Sequence, residues 1–499
     1  MSDQPNILWI VATQWRGQAC GYAGDANART PWLDGLASEA VNFTQAVTPH
    51  PLGPQARAAL LTGRLCPENG VSDYYDPLPV YEPGTGSGAG ASDGPGSPAP
   101  ATTKPDNPFG GLRPLGKRTS RPTVGAAAAD LFSRGSSSAS GTGGTGGQRP
   151  PRHEPGRTVA HALNDRGYAT GFFGKWHLSP RDRTAPFVGE AHARQIVPPE
   201  RRGGFSLWEG FEGGFQLNDP WLHGTRLERP RQFKGYQSDI LCQRAAQWCR
   251  EQGARSVEAG VPYFCLLSLE APHPPYHAPA PHVHELPPGE VHLRANVPPG
   301  GEPERQARAE LAGYYAHIEA TDRAIGRLLT ELDLSGTTVV FTSVHGDMHG
   351  SHGLFRKAWP YEESVRVPLL IRRQRTEDRR KRTEVRGQAT GEDGRRDDSP
   401  VSLVDLPHIA VAWAEGREWR CKSDSAAISM PAPTAIAQQC PHVWRGFRTP
   451  QHKFVLKREA DGSERPWLYF DLKHDPLELH NLADRPEQAR AVAELRALL

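Results

Sequence analysis

The chain has 499 residues, 58 of them basic and 56 acidic, for a net charge of +2. That length suits one large α/β domain with a smaller one appended, and the charge balance excludes a strongly basic nucleic-acid binder or membrane-surface protein as an inference from composition. Seven cysteines without a CxxC pair give neither a metal finger nor a disulfide framework.

In chain order, "NILWIV" (6–11) is a continuous apolar run of strand length, as expected for a strand covered on both faces. "TPWLDGLASEAVNF" (30–43) carries helical periodicity, with Pro31 suited to a first turn. "PQARAALLTGR" (54–64) predicts a second helix, led by Pro54. Residues 83–156 are dominated by Gly, Ser, Pro, Ala and Thr; they cannot bury enough apolar surface to offset ordering entropy and read as a disordered insertion.

"TVAHALNDRGYATGFFGKWHL" (158–178) reads as helix, glycine turn, strand and polar loop, and "PYFCLLSLEAPHPPY" (262–276) as a buried strand running into a Pro/His loop. "ELAGYYAHIEATDRAIGRLLTELD" (310–333) is a long amphipathic helix, and "TTVVFTS" and "VPLLIR" are further strands. Residues 375–399 form a mixed-charge loop. From Cys440 to Leu499 the texture suggests a small antiparallel sheet closed by a terminal helix. Alternating strands and helices predict a doubly wound, mostly parallel sheet flanked by helices, spanning 5–82 and 157–425, with 440–499 as a small C-terminal subdomain. The N-terminus lacks a basic n-region and a cleavage site, and no apolar stretch approaches the roughly 20 residues that span a bilayer; a cytoplasmic protein without a membrane partner is expected.

Basic residues recur at the predicted strand ends: Lys175 and His177, His273, Lys357, and Arg57 near a helix start. Alone, each has a plain reading, since a proline-flanked His packs loops and a Lys is usually solvated. Five of them, on three strand-end loops and one helix start, make convergent donors for an oxyanion-rich ligand.

The segments "PNILWIVATQWRG", "RTPWLDGLASEAVNF", "ARAALLTGR", "GYATGFFGKWHL", "HGDMHGSHGLFRKAWPYEESVRVPLLIR" and "YFDLKHDPLELHNLA" resemble, in order, the sulfatase family of the alkaline-phosphatase superfamily. The resemblance implies an alkaline-phosphatase-like fold and sulfuric ester hydrolysis by a formylglycine, made from Cys or Ser in a C-x-P-x-R motif, beside a Ca²⁺ ion. Carried over by position, the nucleophile falls on Gly53, or on Leu52 with a one-residue shift, and neither offers a nucleophilic atom. Cys66 has no arginine four residues on. The family's metal positions fall on Thr13, Gln14, Val344 and His345, a set without a carboxylate; Ca²⁺ and formylglycine are therefore both expected to be absent. His345, Asp347, His349 and His352 are of zinc-ligating type and form the alternative metal set.

The leading expectation is a sulfatase-like pseudoenzyme whose retained basic set, Arg57, Lys175, His177, His273 and Lys357, binds sulfate or a sulfoester. With carboxylates lost and Arg57, Lys175 and Lys357 kept, the pocket is expected to take an anion without metal. The alternative is a divergent sulfatase or phosphoesterase using activated water, with His177 or His273 as general acid or base. A homo-oligomer, or pairing with an active paralogue, completes the expectations.

Overall fold

The computed structural model describes residues 4–83, 154–181, 188–374, 394–421, 423–434 and 436–499. Most of the insertion read at 83–156, and residues 375–393 of the charged loop, lie outside the described residues.

The large sheet is built from β1 (Asn6–Ala12), β2 (Val41–Phe43), β3 (Ala169–Lys175), β4 (Leu207–Phe211), β5 (Trp221–Gly224), β6 (Arg231–Gln232), β7 (Tyr263–Ser268), β8 (Thr337–Ser343), β9 (Leu369–Arg372) and β10 (Arg396–Asp397). Its order is β10-β2-β9-β8-β1-β7-β3-β4-β5-β6. The central strands β8, β1, β7, β3 and β4 run parallel, while β9 lies antiparallel to both β8 and β2. The apolar run of β1 is explained by its two faces. Ile7, Trp9 and Val11 enter one apolar core, and Leu8, Ile10 and Ala12 enter the other. Each large side chain so buried contributes about 1.5–3 kcal/mol, which holds the register of the central strand.

The helices are α1 (Pro31–Ser38), α2 (Gly53–Thr62), α3 (Val159–Asn164), α4 (Glu190–Ala193), α5 (Gln237–Ala259), α6 (Glu302–Thr330), α7 (Glu362–Val365), α8 (Asp405–Ala414) and α9 (Ala489–Arg496). The helical reading of 30–43 is half right. α1 stops at Ser38, and Val41–Phe43 becomes a strand, because Val41 and Phe43 suit a pleated edge and the segment pairs with β9 and β10. A second, antiparallel sheet is formed by β11 (Ala426–Met430), β12 (Trp444–Arg448), β13 (His452–Arg458) and β14 (Glu464–Asp471), with α9 against it. Its first strand precedes the boundary read at Cys440. No helix among the described residues is long and apolar enough to cross a membrane.

The start of α1 is tied to α6 by Asp322, whose buried carboxylate accepts from the Leu33 and Trp32 amides at 2.8 and 3.1 Å. Burial pushes Asp322 up to about 7 from its ordinary 3.8, against the effect of those two N–H groups. The native state thus binds more protons than the unfolded chain between these values, and this group's contribution to stability falls as pH rises through that window. Asp322→Asn should remove that slope. Urea unfolding of the two proteins from pH 4 to pH 8 should show their stability difference varying with pH, the wild type losing stability relative to the variant as pH rises.

Candidate active site at the ends of the central strands

The four parallel strands β8, β1, β7 and β3 are neighbours and end on the same side of the sheet. The residues at their C-terminal ends make the site: Val344 and His345 after β8, Thr13 and Gln14 after β1, Glu270 and His273 after β7, and Lys175 with His177 at the end of β3. α2 brings Gly53 and Arg57, and the loop before α7 brings Lys357. Ligands gather at strand C-termini in open α/β sheets for this topological reason. Gln14, His177, Phe215, His349, Arg356 and Ala358 all have positive φ without being glycine, so backbone strain concentrates here, as it does at functional sites.

Arg57 is only 4 % exposed and ties three strand ends together. One terminal nitrogen donates to the Lys175 carbonyl at 2.9 Å and to the Ser268 hydroxyl at 2.5 Å, and the other to Thr13 Oγ1 at 2.7 Å. Its Nε has no partner among the described residues. Burial lowers the guanidinium to about 10 against the support of the Glu270 carboxylate. Lys175 Nζ bonds Glu270 Oε1 at 2.7 Å and lies 4.5 Å from the centre of the Phe215 ring, on which His273 stacks at 4.5 Å. Gln237 donates to the other oxygen of Glu270 at 3.1 Å.

Lys357 Nζ reaches Gln14 Oε1 at 2.7 Å and His273 Nε2 at 2.8 Å, while His273 Nδ1 faces the Pro274 carbonyl at 2.8 Å. That pairing makes Nδ1 the protonated nitrogen and Nε2 an acceptor from the lysine. Burial, then the neighbouring charge of Lys175, pushes the Lys357 ammonium well below its ordinary range; burial and Lys357 do the same to His273. Gln14 in turn donates to Tyr276 OH at 3.0 Å and to Asp347.

The structure therefore brings the whole retained basic set to one place, but not as free cations. A buried carboxylate, Glu270, pairs with Lys175, so the basic set is balanced in part by an anionic group outside the positions carried over for the metal. Glu270 was legible as a carboxylate ending a buried strand, three residues before His273 in "LEAPHPPY". Gln237, Ser268 and Phe215 carried no comparable signal.

At Gly53, where the resemblance places the nucleophile, an added Cβ would lie 2.8 Å from His177 Nδ1 and 3.0 Å from its Cε1. The imidazole occupies the side-chain space of residue 53. Its Nε2 meets Tyr74 OH at 3.3 Å, and its Nδ1 is buried without a partner among the described residues. Burial, then Arg181, holds His177 neutral, well below its ordinary range. Val344 is fully buried in an apolar core beside the sheet. His345 Nδ1 contacts the Gly346 carbonyl at 2.9 Å, and its Nε2 is likewise buried without a partner.

The alternative zinc set does not assemble. Asp347 and His349 are neighbours at 3.9 Å, but His352 stacks on Tyr361 and groups instead with Glu363 and Glu478. Those two carboxylates are already paired, Glu363 with Arg294 at 2.9 Å and Glu478 with Lys453 at 2.6 Å.

Comparison with known proteins gives a consistent result. The Sulfatase family profile matches residues 126–416. An ulvan-active sulfatase of Formosa agariphila is 30 % identical over 99 % of this chain and 80 % of its own length. An arylsulfatase of Clostridium perfringens is 23 % identical over 99 % of this chain and 94 % of its own. In fold, the chain is similar to yidJ from Bacteroides fragilis (TM-score 0.69, 21 % identity, 100 % of this chain and 95 % of that one).

Because Arg57 joins three strand ends, Arg57→Ala should cost about 2–4 kcal/mol through lost charged hydrogen bonds and the cavity left behind. Chemical denaturation reads this directly, and a loss below about 1 kcal/mol would show the tie to be dispensable.

Proposed function

Since the chain belongs to the sulfatase family, we propose that it is a family member impaired in ester hydrolysis, which keeps a site for sulfate or a sulfate ester. The carrying observation is at residue 53, where no nucleophilic atom exists and the His177 ring fills the space a side chain would need. Without a nucleophile the covalent route to ester cleavage is closed. In other hydrolases the contacts that survive loss of catalytic groups leave only about 10³–10⁴-fold acceleration over water.

Binding is supported by two buried nitrogens that the described residues leave unpartnered in the site, Arg57 Nε and His177 Nδ1. The first is always a donor, and the second is one when Nε2 accepts from Tyr74. An oxyanion beside the start of α2 would satisfy such donors and interact favourably with the helix terminus. Affinity is expected to be modest, because Glu270 neutralises Lys175 and Arg57 already engages both terminal nitrogens within the protein. The 30 %-identical relative is named for activity on ulvan, which makes ulvan a natural first polymer to offer.

A hydrolase that activates water through His177 or His273 is the competing reading. Both rings are held well below their ordinary range by burial and adjacent cations, so each is a poor proton acceptor near neutrality. Purified protein should give no turnover of an aryl sulfate with or without calcium, and Gly53→Cys alone should not create it. Turnover that disappears on changing His177 would overturn the proposal of impairment. Sulfate at millimolar concentration, with chelator present, should raise the melting temperature and give heat on titration; absence of both would leave a scaffold with no ligand at this site.

A further inference from the structure

The family's calcium ion would have to be held by Thr13, Gln14, Val344 and His345, and the structure shows how these groups are already engaged. We propose that the basic side chains of Arg57 and Lys357, rather than a divalent ion, hold Thr13 and Gln14 at the end of β1, so that the site is built without metal. The inference rests on the family reading of the site but not on anion binding.

Each position on β1's extension is held by a different base. Thr13 Oγ1 accepts from Arg57 at 2.7 Å and donates to the Leu269 carbonyl at 2.8 Å. Gln14 Oε1 accepts from Lys357 at 2.7 Å. The two amide hydrogens of Gln14 go to Tyr276 OH and Asp347, which fixes its oxygen toward the lysine. Asp347 is engaged as well: it accepts from Gln14, from Tyr276 OH at 2.9 Å and from the His349 amide at 3.0 Å.

On the β8 side, Val344 faces an apolar core and offers nothing. His345 Nε2 is the remaining unpartnered ligand atom of the four positions. A hard cation takes six to eight oxygens, with carboxylates to offset its charge. One imidazole nitrogen and the leftover lone pairs of an amide and a hydroxyl do not make that set. Lys357 answers the geometry differently, since its head donates to Gln14 Oε1 and to His273 Nε2, two acceptors on neighbouring strand ends.

The test uses the 499-residue chain. After purification in calcium-containing buffer and gel filtration, elemental analysis should find no stoichiometric calcium, and the melting temperature should be the same in chelator as in millimolar calcium. One retained equivalent, or a calcium-induced rise reversed by chelator, would overturn the proposal. A charge swap then asks whether the bases and a metal are alternatives. Thr13→Asp with Val344→Asp and Lys357→Met should make the melting temperature rise with calcium, and the same two aspartates with Lys357 intact should respond less. An equal response in both would refute the role of Lys357. Should the triple variant not fold, Lys357→Met alone decides: it should melt lower than wild type whether or not calcium is added, and melting like wild type would overturn the inference.

Discussion

The three-way bond of the Arg57 guanidinium is the constraint on which the rest of the site hangs. Parallel strands end in carbonyls and loops that must find partners away from the ladder, and here one buried side chain serves the ends of β1, β7 and β3 together. A cation in so dry a place is costly unless every donor is used or a counter-charge is near. Ser268, Thr13 and the Lys175 carbonyl take its terminal nitrogens, and Glu270 supplies the counter-charge. The identity of residue 13 is explained by this geometry: a threonine hydroxyl can accept from the arginine and donate onward to Leu269 in one stroke.

The loops beyond the sheet are braced by the C-terminal sheet. Trp444 Nε1 donates to the Ala358 carbonyl at 2.9 Å, next to Lys357, and the Ser429 amide donates to the Pro49 carbonyl at 2.7 Å, shortly before Gly53. Glu362 of α7 is locked to Arg448 at 3.1 Å and to Lys453 at 2.9 Å on the same sheet. The strained backbone at Ala358 is thus held from outside, which is how unfavourable φ values persist in a folded protein.

Chemically, the site is a set of buried basic groups, each set against a neighbour. His177 stands against Gly53, Lys357 against Gln14, and Lys175 against Glu270. Each basic group is positioned by a specific partner, so the arrangement is one of fixed, buried contacts rather than of mobile charges. On the proposed function, a ligand would meet a preorganised site here, and selectivity would come from which unpartnered donors it satisfies.

Local information in the chain was enough for the alternation of strands and helices, the two-faced burial of β1, and the residue types at 13, 53 and 344, because period, proline placement and side-chain chemistry are properties of short stretches. It was not enough for Val41–Phe43, whose strand exists because β9 and β10 offer edges to it. Nor could it show which charges neutralise which. Lys175 and Glu270 are 95 residues apart, and Lys357 and Gln14 are 343 apart. That the basic set is paired rather than free, and that a histidine fills the space beside Gly53, was decided only when the folded sheet brought four strand ends to one point, where burial leaves polar groups no solvent and obliges them to pair with one another or with a ligand.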